Sequence, residues 1–102
     1  MFKVVFVKQI FNAKEPCPSA QFAVFRRDET LPFAPSPGHE FFWGHGQPQK
    51  LASVTFNVLD STFSCRVEDA FADPFSIEGM DFDDLVEEAK QGGWVLVRVF
   101  GG

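Results

Sequence analysis

Tyrosine is absent from these 102 residues, and histidine, cysteine, methionine and tryptophan occur twice each. Two cysteines are too few for a disulfide scaffold. Cys17 lies in the turn-like PCPS and Cys65 inside a strand pattern, without metal-ligand spacing, so free cytosolic thiols are expected; a Cys17–Cys65 bridge is permitted but not required. Long apolar runs are missing too. The opening MFKVVFVKQIF holds four apolar residues in a row between Lys3 and Lys8, too short for a signal peptide or a membrane span, so the chain reads as cytoplasmic with no membrane partner. Positive charge is also short: nine Lys/Arg stand against fourteen Asp/Glu, and a net charge of −5 opposes nucleic acid, whose phosphates need a basic face. There is no P-loop, nucleophile elbow or CxxC, and GHGQPQ (44–49) lacks the third glycine and the strand-to-helix setting of a dinucleotide fingerprint.

Phenylalanine is what the chain has instead. Fourteen of them, with two Trp, bring the hydrophobic fraction to 45%, and a Phe has no polar tip to leave in water. At this length one domain, 1–102, is expected, burying roughly 65% of the surface its unfolded chain exposes. The charge is uneven. Residues 1–66 carry seven Lys/Arg and five Asp/Glu, whereas 67–102 carry two and nine. An acidic C-terminal third fits either a solvated helix and loop or the selection of a basic protein partner.

Strand patterns rich in β-branched and aromatic residues occur at 3–11, 20–27 and 94–100. SVTFNVL (53–59) and TFSCRVE (62–68) alternate apolar with polar. A two-residue turn at Asp60–Ser61 would set Val58 against Phe63, Phe56 against Cys65 and Val54 against Val67; the turn lacks glycine, so a longer loop with shifted pairing stays open. EFFWG (40–44) reads as a short strand inside the Pro/Gly-rich 28–48 stretch. DFDDLVEEAKQGG reads as the one helix, 81–91: Asp81 caps it, Phe82, Leu85, Val86 and Ala89 form its apolar stripe, and Gly92–Gly93 end it. The order predicts an α+β domain, a mainly antiparallel sheet of five or six strands with that helix before the last strand. The strands at 3–11, 20–27 and 94–100 are apolar on both sides. One ten-residue helix, about 15 Å long, covers only part of one face, so a second copy of the chain, a homodimer, is expected to cover the other.

HEFFWGH (39–45) holds both histidines. They are six apart, not the four of HExxH; on a helix they diverge by about 120° and on a strand they lie about 20 Å apart. No third or fourth ligand stands at recognisable spacing, so no metal site is expected and no cofactor is implied. DFDD lacks the turn glycine and bidentate glutamate of a calcium loop, and the carboxylates of 81–88 are spread around a helix, so no catalytic residue is assigned. Two surfaces remain. Phe33, His39, Phe41, Phe42, Trp43 and His45 suit core packing, a protein interface, or the mouth of a pocket for a small hydrophobic ligand between the sheet and the 28–50 segment. Thr55, Asn57, Arg66 and Glu68, with Ser64, form a polar hairpin face that suits water or a small polar ligand.

LPFAPSPG (31–38), SVTFNV (53–58), FSCRVED (63–69) and a terminal helix running into GGW (92–94) resemble small uncharacterised bacterial proteins carried on mobile integron gene cassettes. The resemblance implies a small α+β fold and frequent homo-oligomers, and it assigns no site residue. The combined expectation is a cytosolic binding protein that acts as a homo-oligomer, more an interaction module than an enzyme. The alternative is a small-ligand protein or minor enzyme using the 28–50 pocket.

Overall fold

Alternation along the first strand sets the architecture. In the computed structural model, which describes residues 1–13, 21–44, 47–72 and 81–101, β1 (Phe2–Phe11) turns Val4, Phe6 and Ile10 to one side, where all three are fully buried. β1 is also the hub of the sheet. It pairs antiparallel with β2 (Phe22–Leu31) and parallel with β5 (Thr62–Val67); beyond β5 its edge continues in parallel pairing with β6 (Ala70–Phe71). β4 (Gln49–Asn57) carries the sheet outward from β5 to β3 (Glu40–Phe41), and β7 (Val95–Phe100) closes the opposite edge against β2, giving the order β3-β4-β5-β1-β2-β7.

The fold is thus α+β with one C-terminal helix before the last strand. The expectation of a mainly antiparallel sheet needs one amendment. Among the described residues there are five long strands and two two-residue ones, and both partners on one flank of β1 run parallel to it, which makes the sheet mixed. β2 is longer than predicted, running through Asp28, Glu29 and Thr30, because its charged residues pair along the strand: Arg26 with Asp28 at 2.8 Å and Arg27 with Glu29 at 2.7 Å. Of the predicted strand 40–44, only Glu40–Phe41 pairs, against Lys50 and Gln49.

The β4–β5 hairpin forms with a four-residue loop, Val58–Ser61, in place of the two-residue turn. Phe56 therefore meets Phe63 and Val54 meets Cys65, two positions from the simplest register. The loop is held by its own side chains: Asn57 Oδ1 accepts from Leu59 N–H (3.0 Å) and Asp60 Oδ1 from Thr62 N–H (3.1 Å), with Ser61 in the left-handed region at φ 57°. An even shift keeps each side chain on its predicted face. A bulge at Ala52 then brings Leu51 opposite Val67, both buried.

α1 (Phe82–Gln91) begins at Asp81, whose Oδ1 accepts from Asp84 N–H at 2.8 Å, and buries Phe82 and Ala89. It ends as a Schellman motif. Gly93 N–H donates to Lys90 O, Trp94 N–H donates to Ala89 O, and Gly93 takes φ +95°, which glycine adopts without strain. Helix and Trp94 lie on the Val4–Phe6–Ile10 side of the sheet, in one core with Ala23, Phe25, Leu51, Cys65 and Val67.

Candidate functional site

Two features stand out: an aromatic arm over the core side of the sheet, and the sheet's other face. The arm, residues 32–44, is pinned to β4 by backbone bonds, with Gly38 N–H donating to Leu51 O (2.9 Å) and Leu51 N–H to His39 O (2.8 Å). From there it lays Phe41 and Trp43 on the core. Phe41 meets Phe6 edge-on at 5.1 Å, Trp43 meets Phe6 at 5.0 Å and Trp94 at 5.4 Å, and Phe41 and Trp43 stack at 5.8 Å. Arg27 clamps the assembly from β2. Its guanidinium lies 4.7 Å over Trp43 and 5.9 Å over Trp94, while Nη1 donates to Gly92 O at 2.7 Å.

The aromatic candidates therefore divide. Phe41 and Trp43 are half-buried against the core, whereas Phe42 (62% exposed) and Phe33 (45% exposed) turn outward. His39 is exposed and held by Ser36: Ser36 N–H donates to Nδ1 (3.3 Å), which leaves the proton of the neutral ring on Nε2, 3.1 Å from Ser36 Oγ. His45 and Cys17 fall outside the described residues. Among the described residues no three His, Cys, Asp or Glu converge on a point where a metal ion would sit.

Between the arm, β1 and α1 opens a cleft of about 500 Å³. Ile10, Ala70, Leu85, Ala89, Trp43 and Trp94 supply its apolar walls. Lys8, Glu88, Glu40, Glu68, Gln47 and Gln49 supply its polar groups. Lys8 is the member that sequence periodicity had not singled out. It occupies the inward face of β1 between Phe6 and Ile10 and opposite buried Phe25, a row that is otherwise apolar. Burial lowers its ammonium pKa from the ordinary lysine value, and the negative charge of Glu88 partly offsets this. The signal was there to read, a cation inside an i, i+2 apolar row, but a row apolar on both sides hides which face is inward.

The polar hairpin candidates also divide. Thr55 and Arg66 lie on the face of the sheet away from α1, where Arg66 bonds Gln9 (2.8 Å) and Asp69 (2.9 Å). Asn57 spends its oxygen on the hairpin loop, and Glu68, past the end of β5, lines the cleft on the opposite side.

The face away from α1 carries Val5 and Val7 of β1, Val24 of β2 and Val95 of β7. Beside them, four phenylalanines on adjacent strands stack in one row: Phe71 on Phe11 at 5.6 Å, Phe11 on Phe22 at 5.2 Å, and Phe22 on Phe100 at 4.9 Å. None of the described elements covers this face. β7 is an edge strand among the described residues, with Val95, Val97, Val99 and Phe100 exposed, and a bulge at Val97 and the charge of Arg98 protect it there.

Compared with known protein families, curated proteins and solved structures, the chain matches none of them. No helix among the described residues is long and apolar enough to cross a membrane.

Proposed function

We propose that this is a small binding protein that works as a homodimer, two copies meeting through the face of the sheet away from α1 and the adjoining β7 edge. The observation that carries the reading is a run of apolar residues on a face that no described element covers: Phe11 is buried within its own row, Phe71, Phe22, Val24, Val7 and Val5 are half-buried, and Phe100 and Val95 are exposed. The area is adequate. Strands β1 and β2, about 33 Å long, and β5 and β7, about 20 Å long, at about 4.8 Å spacing present about 500 Å² in projection. Side-chain relief brings this near the roughly 800 Å² per partner of a stable interface. The charges suit a twofold axis. Lys3, Arg26 and Arg66 share the face with Asp28, so each copy offers both signs to the other.

Sedimentation velocity over a concentration series tests this reading. The mass of two chains is expected; a single chain at the highest soluble concentration overturns it.

A second reading has its own support. The cleft between the arm, β1 and α1 has the volume of a small-molecule pocket, with aromatic walls and a few polar groups. Binding of a small molecule there is compatible with the dimer, because the cleft opens on the other side of the sheet.

A further inference from the structure

We infer that the cleft takes a small aromatic carboxylate, its acid group on the Lys8 ammonium and its ring in the corner made by Trp43 and Trp94. This rests on the reading of the cleft as a ligand pocket and adds the chemistry of the ligand.

The first argument is the place of Lys8. In the middle of the central strand, on the inward face, the neighbouring positions are Phe6 and Ile10, both fully buried. A methylene-rich apolar residue there would fold at least as well, so a lysine breaks the local rule where function is the usual reason for breaking it. Its Nζ stands 5.9 Å from the centre of the Trp94 ring. Among the described residues no carboxylate lies within 4.0 Å of that ammonium, and the nearby charge of Glu88 compensates it only in part.

The second argument is shape. Trp43 and Trp94 meet at 76°, 5.4 Å between centres. A planar ring can stack on one and present its edge to the other, as aromatic pairs prefer. Ile10, Ala70 and Leu85 continue the apolar surface.

The third argument concerns sign. The cleft's own carboxylates do not select a cation with equal force. Glu40 and Glu68 are exposed to water, Asp69 is tied to Arg66 at 2.9 Å, and half-buried Glu88 already faces the Lys8 charge, which it offsets only in part. The charge that is drawn out of water is the lysine's, and an anion gains most by meeting it away from solvent.

Calorimetric titration at neutral pH with indole-3-acetate, tryptamine and tryptophol, which share one ring and differ in end group, tests the assignment. Indole-3-acetate is expected to bind, and Lys8→Met, which keeps the stem and is checked for native circular dichroism, to weaken it by about tenfold or more. Tryptophol is expected to bind equally to both forms. If tryptamine binds and indole-3-acetate does not, the carboxylate assignment falls while the pocket reading stands. If none of the three binds, both fall. Unchanged affinity of indole-3-acetate for Lys8→Met overturns the role of Lys8.

Discussion

Arg27 of β2 sets its guanidinium over the Trp43 ring of the arm, the guanidinium carbon 4.7 Å from the ring centre. The same guanidinium donates to Glu29 and to the last turn of α1 through Gly92 O. One side chain thus joins the sheet, the arm and the helix end. Removing it leaves a part-buried carbonyl and an aromatic face without their partner. Arg27→Met, which preserves the stem, is expected to lower stability in urea denaturation by about 2–3 kcal/mol. Arg27→Lys is expected to recover less than half of that, because an ammonium has no fork to bond Glu29 and Gly92 together.

Gly93 reports on the same junction. It sits at φ +95°, and a Cβ built there falls 3.0 Å from Arg27 Nη2. Gly93→Ala is expected to cost about 1–2 kcal/mol from the left-handed backbone alone. The excess from crowding Arg27 is expected to disappear in the Arg27→Met background, as a double-mutant cycle would register.

Stability is expected to rise at alkaline pH, through Lys8. Its folded-state pKa lies below the unfolded value, so between the two the unfolded chain binds more protons than the native one. The burden of the buried charge is complete below the lowered pKa and is relieved as pH rises through it toward the ordinary lysine value. Lys8→Met is expected to raise the thermal midpoint at neutral pH and to flatten this slope. Melting curves from pH 7 upward, compared between the two forms, measure both effects.

Cys65 is a free thiol with no exposed surface, and burial raises its pKa to about 11. In a Cys17→Ser background the native protein is therefore expected to leave a thiol reagent unreacted near pH 8 and to release one equivalent on unfolding. The rate of modification against urea gives the opening free energy of the β1–β5 seam.

The dimer is expected to depend on the sheet face and the β7 edge rather than on the arm. Val24→Lys and Val97→Lys are expected to shift sedimentation to the mass of one chain, and Phe42→Ser to leave it unchanged. The reverse pattern would move the interface to the outward aromatics of the arm.

How far the sequence displayed all this depends on whether the information was local. The helix was legible to the residue because Asp81, the Phe82–Leu85–Val86–Ala89 stripe and Gly92–Gly93 are all within one segment. The β4–β5 hairpin was legible in its faces but not in its register, since without a glycine turn two loop lengths share the same parity. The parallel pairing of β1 with β5 was not legible: it links Lys3 to Thr62, and no periodicity reports a partner that far along the chain. In the candidate site, the aromatic arm could be named from its composition. That Trp43 would find Trp94 and Arg27 could not, because those contacts join three separate segments. Lys8 was hidden for a related reason, as β1 is apolar on both sides.

The parallel seam also has a consequence in time. As the polypeptide emerges from the ribosome, β1 and β2 form an antiparallel pair early, yet one flank of β1 stays open until residues 62–67 have been made. Only with β5 in place do Cys65 and Val67 close over Val4 and Phe6, and β7 comes later still. A half-synthesised chain thus displays a two-stranded ribbon with an unpaired flank, and loop closure over some sixty residues governs when it is sheltered. A chain that links residue 102 to residue 1 and opens in the Val58–Ser61 loop would bring β5 before β1 and change that waiting period without altering a single contact of the seam.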